Sequence, residues 1–449
     1  MCGIAGFVGK GDSKTLEQMI FAIRHRGPDS TGVWMGDGVG LAHARLSIID
    51  LTPSGSQPMW NEKNSVVIVF NGEIYNFPEL REECLSKGYH FRGNSDTEVI
   101  LALYEAYGIS CIERLNGMFA IALYDLAMET LFLSRDRVGK KPLYYGEFDG
   151  SLLFGSELKA LFGHPSMKKE IDPNALSAYL ALDYVPTPLS IFKGVSKLPP
   201  ASILTYKDGE TSLQTFWSPQ SENREVLSEK DAIIALDKRL RDAVESRLMA
   251  DVPLGVFLSG GLDSSTVAYY ASRASKEPIH TFSIGFNEAS FDESVYAEKV
   301  AKYLGTNHHH KMLSGEDSLR VIPKVFELLD EPIADASIIP TYLLAEFTRA
   351  QVTVALGGDG GDELFAGYQT FQAEKVYNYQ SILPFHFGSA LIHVAADLVP
   401  VSNAYMSNEF KLRKFLEGVD EPDMARRHMR WMGTFNEEES TKILRPEIR

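Results

Sequence analysis

Short runs of apolar, aromatic and β-branched residues crowd the first ~160 positions, separated by Gly, Asp and other turn formers, which is a strand signature. GIAGFV near the start, SVVIVF before Asn71, FAIALYD at 119–125, TLFLS at 130–134 and SLLFGS at 151–156 are the clearest. Two helices are expected among them, near 77–87 and 96–107, the second opened by the capping sequence Asn94-Ser95-Asp96. A Pro-rich passage follows, Val185-Pro186-Thr187-Pro188 and then Leu198-Pro199-Pro200, with a polar stretch at 218–223. Beyond about residue 228 the texture changes, because strand-like runs now alternate with helical ones. GVFLS leads to a helix from Ser265, TFSIGF to a helix from Asp292, and VTVALGG comes next. That alternation predicts a parallel sheet in an α/β domain, so two domains are expected: 2–206 and 228–449, joined by a linker at 207–227.

Composition narrows the class. The chain has 449 residues, 44% hydrophobic, enough for two or three well-cored domains at roughly 100–200 residues each. Sixty acids against 44 bases give a formal charge of −16, which argues against a general nucleic-acid or anionic-membrane binder. Cys2, Cys84 and Cys111 make neither a disulfide framework nor a CxxC pair, and they point to a reducing, cytoplasmic compartment. No secretory leader is visible. The most apolar late stretch, GSALIHVAADLVPV, carries His393 and Asp397 and is shorter than the ~20 residues a membrane span needs; it reads as a buried helix.

Candidate chemistry begins at Cys2. With Met1 removed, its thiol and α-amine share one residue, and an amine titrating near pH 8 can serve as base for that nucleophile. An incidental cysteine is the other reading. Downstream stand Arg45 in HARLSIID, Asn71-Gly72-Glu73 in FNGEIYN, and Asp96 in NSDTEVI. A glutaminase needs a guanidinium for its substrate's carboxylate, a carboxylate for the α-ammonium, and N–H donors for a tetrahedral oxyanion. Asn71-Gly72 fits the last need, or equally a type I′ hairpin turn. Taken alone, Arg45 and Asp96 read as a surface charge and a helix cap.

Taken together, MCGIAGFVG, RHRGPDSTG, HARLSIID, FNGEIYN and SDTEVILALYE resemble the class II glutamine amidotransferases over roughly residues 2–160. The resemblance implies an α+β, four-layer αββα N-terminal-nucleophile sandwich and a thioester on the cysteine. It makes Cys2 the nucleophile and Asn71 with Gly72 the oxyanion hole. Arg45 and the backbone of Leu46, Ser47, Ile48 and Ile49 take the carboxylate side of glutamine, and Glu73 with Asp96 its amino group.

The second motif is GVFLSGGLDSS at 255–265. A strand runs into glycines and serines at the start of a helix, an arrangement that presents N–H groups to an anion. No GK[ST] follows, so it is not a Walker A loop. The carboxylate of Asp263 suits phosphates only with Mg²⁺ between them. A capped Gly-rich turn is the plainer alternative. A further segment, ALGGDGGDELFAGY at 355–368, gathers Asp359, Asp362 and Glu363; it suits a magnesium–pyrophosphate contact or an acid-rich helix start. SGGLDSS resembles the loop of ATP-pyrophosphatases (adenine nucleotide alpha hydrolase-like folds), a group that spans several enzyme families.

Both modules in this order resemble glutamine-hydrolysing asparagine synthetases. That implies ATP as substrate, Mg²⁺, a β-aspartyl-AMP intermediate, channelled ammonia and a homodimer. The resemblance places Leu258 and Ile284 on the adenine side with Gly357 and Gly358 nearby. Ser259, Gly260, Gly261, Asp263 and Ser264 line the phosphates, and Asp263 and Asp362 hold the metal. It also puts DEPIADASIIP at 330–340 near the carboxylate acceptor. Two departures stand out. The second loop reads GGDGGDE where the well-known branch has SGEGxDE, so Asp359 stands at a glutamate linked to adenylation. Such variants resemble members that amidate other carboxylates, such as cell-envelope precursors. The chain also stops at Arg449 before a Lys-containing motif and a VRVPFLD-like segment, which reads as a truncation. Glutaminase-only activity, or a non-catalytic fragment, are then the alternatives. His308, His309 and His310 are consecutive, so on a strand they alternate faces and make a poor metal site.

Overall fold

The computed structural model describes residues 1–219, 226–381 and 407–444, in two compact units. The stretch 388–401, with His393 and Asp397, lies outside the described residues. Among the described residues no helix is long and apolar enough to cross a membrane.

The first unit comprises Met1–Asp172 and Pro186–Val252. Its strands are β1 Gly3–Val8, β2 Ser30–Gly36, β3 Val39–Arg45, β4 Met59–Trp60, β5 Val66–Ile74, β6 Gly117–Asp125, β7 Thr130–Arg135, β8 Tyr144–Phe148, β9 Ser151–Gly155, β10 Val195–Lys197, β11 Ser202–Lys207 and β12 Glu210–Thr215. They form two six-stranded antiparallel sheets, ordered β10-β8-β9-β1-β3-β2 and β12-β11-β7-β6-β5-β4. β5 explains the layering. Strand side chains alternate faces: Val67 and Val69 enter a core with Ile4, Leu41 and Phe154 of the other sheet. Ile68 and Phe70 enter a second core with Leu80, Cys84, Val99 and Cys111, beneath helices α2 (Phe77–Ser86) and α3 (Asp96–Tyr107). A strand buried on both faces reads as an unbroken apolar run, which is why VVIVF shows no alternation. Helix α1 (Ser13–Ala22) covers the outer face of the first sheet. The layers are therefore α, β, β, α.

The second unit comprises Pro173–Val185 and the residues from Pro253 on. Its parallel sheet is ordered β15-β14-β13-β16, from β13 Leu254–Phe257, β14 His280–Phe286, β15 Asn307–Leu313 and β16 Val354–Leu356. Helices between the strands, among them α7 Leu262–Ala274, α8 Ser294–Leu304 and α10 Ile338–Arg349, make this the α/β fold that the alternation implies. His308 to His310 lie on β15. His308 contacts the hydroxyls of Thr281 and Ser283, and His309 stacks on Phe282 with Nε2 2.9 Å from His280 Nδ1.

Three expectations shift. Residues 210–215, assigned to a linker, form the exposed edge strand β12 paired with β11; a strand with every side chain exposed carries no apolar signal. Residues 173–185 belong with the second unit, where Ala334 N–H donates to Asp183 O and Tyr184 bridges Ile333. Helix α7 starts at Leu262 rather than Ser265, so Asp263 and Ser264 sit in its first turn.

Candidate active site

Alternation also assembles the first candidate site. Cys2 shares a face with Ile4, Arg45 with Leu41, and Asn71 and Glu73 with Val67 and Val69, which all look between the sheets. Asn71-Gly72 is no hairpin turn, because β5 runs straight through it, pairing Asn71 with Ala120 and Gly72 with Phe119. A side chain at Gly72 would bring its Cβ to 2.2 Å from Met118 O, so the position admits only hydrogen. Asn71 is 1% exposed, and neither its amide nitrogen nor its oxygen has a hydrogen-bond partner. A buried, unpaired amide is costly.

The Cys2 thiol lies against the loop after β3: Leu46 N–H donates to Sγ at 3.4 Å, and Sγ is 3.5 Å from Leu46 O. Burial pushes the thiol up, against the Leu46 bond, the terminal amine and Lys141. Burial likewise lowers the α-amine of Met1, the residue before Cys2, to about 6. Arg26 donates from Nε to Cys2 O at 2.9 Å and from NH1 to Glu157 at 2.7 Å. Arg45 turns its guanidinium onto the carbonyls of Asp50 and Thr52. It therefore shapes the Leu46–Ile49 loop as well as offering positive charge there. Ser47 N–H is held by Asp29 at 2.8 Å. Asp50 collects Thr52, Ser54 and the Asn94 N–H; burial opposes its charge, yet those bonds hold it down at about 2. Asp96, first residue of α3, accepts from Ile74 N–H at 3.0 Å. Burial first, and Glu73 in part, raise it to about 7, and burial raises Glu73 too.

The second unit holds a cavity of about 830 Å³ at the ends of β13 and β16. Leu258, Ser259, Gly261, Asp263, Ser264, Ile284, Gly357, Gly358, Asp359 and Asp362 all line it. Ser259 and Ser264 join hydroxyls at 2.9 Å, and Gly261 N–H donates to Ser259 Oγ at 3.2 Å. α7 has Gly261 at its N-cap and no side-chain cap, which leaves N–H groups for an anion. Gly260 is not in the lining. At φ +83° its absent Cβ faces Ala297 N at 2.5 Å, so it serves the turn against α8. The Asp263 carboxylate lies over Gly361, where a Cβ would meet Cγ at 2.4 Å, so the two glycine-rich loops touch. From α10 the cavity takes Thr341 and Leu344 rather than residues of 330–340. Among the described residues no three carboxylates, imidazoles or thiols are gathered as a ready metal cage. A nucleotide-borne magnesium needs only one or two carboxylates plus phosphates, and Asp263 with Asp362 fits that requirement.

Residues 1–217 match the family model for the glutamine amidotransferase domain, and residues 235–442 that for asparagine synthase. A Methanocaldococcus jannaschii protein, provisionally named asparagine synthetase [glutamine-hydrolyzing] 2, is 36% identical over 91% of this chain and 84% of its own. The chain belongs to the glutamine-hydrolysing asparagine synthetase family. Asparagine synthetase [glutamine-hydrolyzing] 1 of Bacillus subtilis is 38% identical over 88% of this chain, and the match spans 63% of that relative's length. Among solved structures, the glutamine phosphoribosylpyrophosphate amidotransferase of B. subtilis aligns at 14% identity and TM-score 0.39, over 69% of this chain and 81% of that one.

Within this family framework, sequence reasoning left Arg26, Asp50 and Lys141 unassigned. Arg26 lies in RHRGPDSTG, quoted above as a motif without a role for each residue. Lys141, the second residue of a Lys-Lys pair, is 4% exposed. Burial lowers its ammonium against the pull of Glu73. The raised Asp96 yields a pH prediction. If it receives the glutamine ammonium it must be ionised, so the KM for glutamine should rise as pH falls through about 7. Asp96→Asn should give a high KM that stays flat over the same range, as read by initial-rate glutamate release.

Proposed function

We propose that the chain catalyses glutamine- and ATP-dependent amidation of a carboxylate, with L-aspartate as acceptor and L-asparagine as product. The observation that carries the reading is the unpaired, buried Asn71 amide on β5, which by alternation faces the space between the sheets, as Cys2 does at the start of β1. In this reading Met1 is removed and Cys2 becomes the terminal residue. Its neutral amine takes the thiol proton, and the thiolate attacks the glutamine side-chain carbonyl. Asn71 Nδ2 and the Gly72 N–H stabilise the oxyanion. Ammonia leaves with the proton, and water then cleaves the thioester to glutamate. Arg45 and the Leu46–Ile49 loop bind the carboxylate of glutamine, while Glu73 and Asp96 bind its ammonium.

In the second unit, Mg-ATP occupies the 830 Å³ cavity. Leu258 and Ile284 face adenine, and the Ser259–Ser264 loop faces the phosphates. Asp263 and Asp362 would hold a magnesium ion, which would supply positive charge beside the pyrophosphate. The acceptor carboxylate attacks the α-phosphorus, pyrophosphate leaves, and ammonia displaces AMP from the mixed anhydride. Asp359 stands beside that step. Three free cysteines fit a cytoplasmic setting.

The test supplies glutamine, aspartate and Mg-ATP, and measures glutamate, AMP and pyrophosphate. All three products are expected. Glutamate without AMP would refute the synthetase half of the proposal, and no product at all would refute the whole.

A further inference from the structure

The loop assigned to the glutamine carboxylate is held from outside by a segment to which no role is yet given. Asp251 N–H donates to Ile48 O at 2.9 Å, and Asp50 N–H donates to Asp251 Oδ2 at 2.8 Å. The two bonds bracket Ile49, one pinning the residue before it and one the residue after. Asp50 is itself the hub that accepts the Asn94 N–H, two residues before Asp96, and Arg45 grips its carbonyl. Displacing Asp50 therefore disturbs the carboxylate side and the ammonium side together. The same short segment makes a second contact: the Arg247 guanidinium lies 4.6 Å over the ring of Tyr75, just past the end of β5. Asp251 is exposed, so it contributes these bonds rather than core packing.

We propose that Asp251 is a positioning residue for the glutaminase reaction, setting the Leu46–Asp50 loop in the conformation that receives the glutamine carboxylate. It touches no reacting atom. Only Val252 and Pro253 separate it in sequence from β13. The inference rests on the glutaminase reading.

The test uses the full chain and measures glutamate release against glutamine concentration. Asp251→Ala should raise KM roughly tenfold, with kcat changed by less than about twofold, because one charge-assisted bond that orders the binding loop is lost. Asp251→Asn keeps an oxygen that can accept from Asp50 N–H, so it should restore the parental KM. Hydrogen exchange should show protection lost over 46–52 and retained elsewhere in Asp251→Ala. An unchanged KM in Asp251→Ala, an Asn variant no better than the Ala variant, or protection lost throughout the protein would each overturn the positioning role. Absence of glutamate release before any substitution would overturn the glutaminase reading itself and the inference with it, and is thereby told apart.

Discussion

Cys2→Ala should abolish glutamate release from glutamine, by roughly 10⁴-fold or more, and leave AMP and pyrophosphate formation with ammonium salts within about twofold of the parent. The two halves of this expectation have separate causes. Cys2 faces the space between the two sheets, as Arg45 does from β3 and Asn71 and Glu73 do from β5; Cys84 and Cys111 are packed in the other core, between the second sheet and its helices. The nucleotide cavity, in contrast, is built wholly from the second unit. Parallel loss of both activities would contradict two separate sites.

Asp263→Asn should have the converse effect. AMP and pyrophosphate formation should fall by roughly 100-fold or more, while glutamate release persists. Asn keeps the shape and the side-chain oxygen but removes the negative charge that a magnesium ion requires. The carboxylate sits in the first turn of α7, over Gly361 and inside the cavity. At an uncapped helix start a lost acid would cost little if it served only the dipole. A variant with parental pyrophosphate release would therefore assign Asp263 to the helix rather than to the metal.

Much of this architecture is legible in the amino-acid sequence. Strands buried on both faces, such as 66–70 and 119–125, declare themselves by continuous apolar composition. The α/β half declares itself by alternation. What was hidden had physical reasons. β2 and β3 carry small residues at Gly32, Gly40, Ala42 and Ala44: a Cβ at Gly6 of β1 would lie 2.3 Å from Gly40 O, and one at Gly32 would lie 2.1 Å from Gln57 O. Small residues erase the period-2 signal. Asn71-Gly72 reads equally as a hairpin turn, because polar residues seldom continue a buried strand. They do so here at the candidate site, where the buried Asn71 amide has no hydrogen-bond partner. Arg26, Asp50 and Asp251 act by holding backbone through contacts 24, 44 and 201 residues apart, and no local pattern marks such a role. The glycine-rich loops were legible as a pair, whereas the packing role of Gly260 depends on α8, far along the chain.

The most direct test of the account treats the protein with a diazoketone analogue of glutamine and maps the adduct by mass spectrometry of the intact and digested chain. The expected result is one adduct, on the sulfur of Cys2, in a chain whose first residue is that cysteine. An adduct on any other side chain, or full glutaminase activity in protein that still carries Met1, would contradict it.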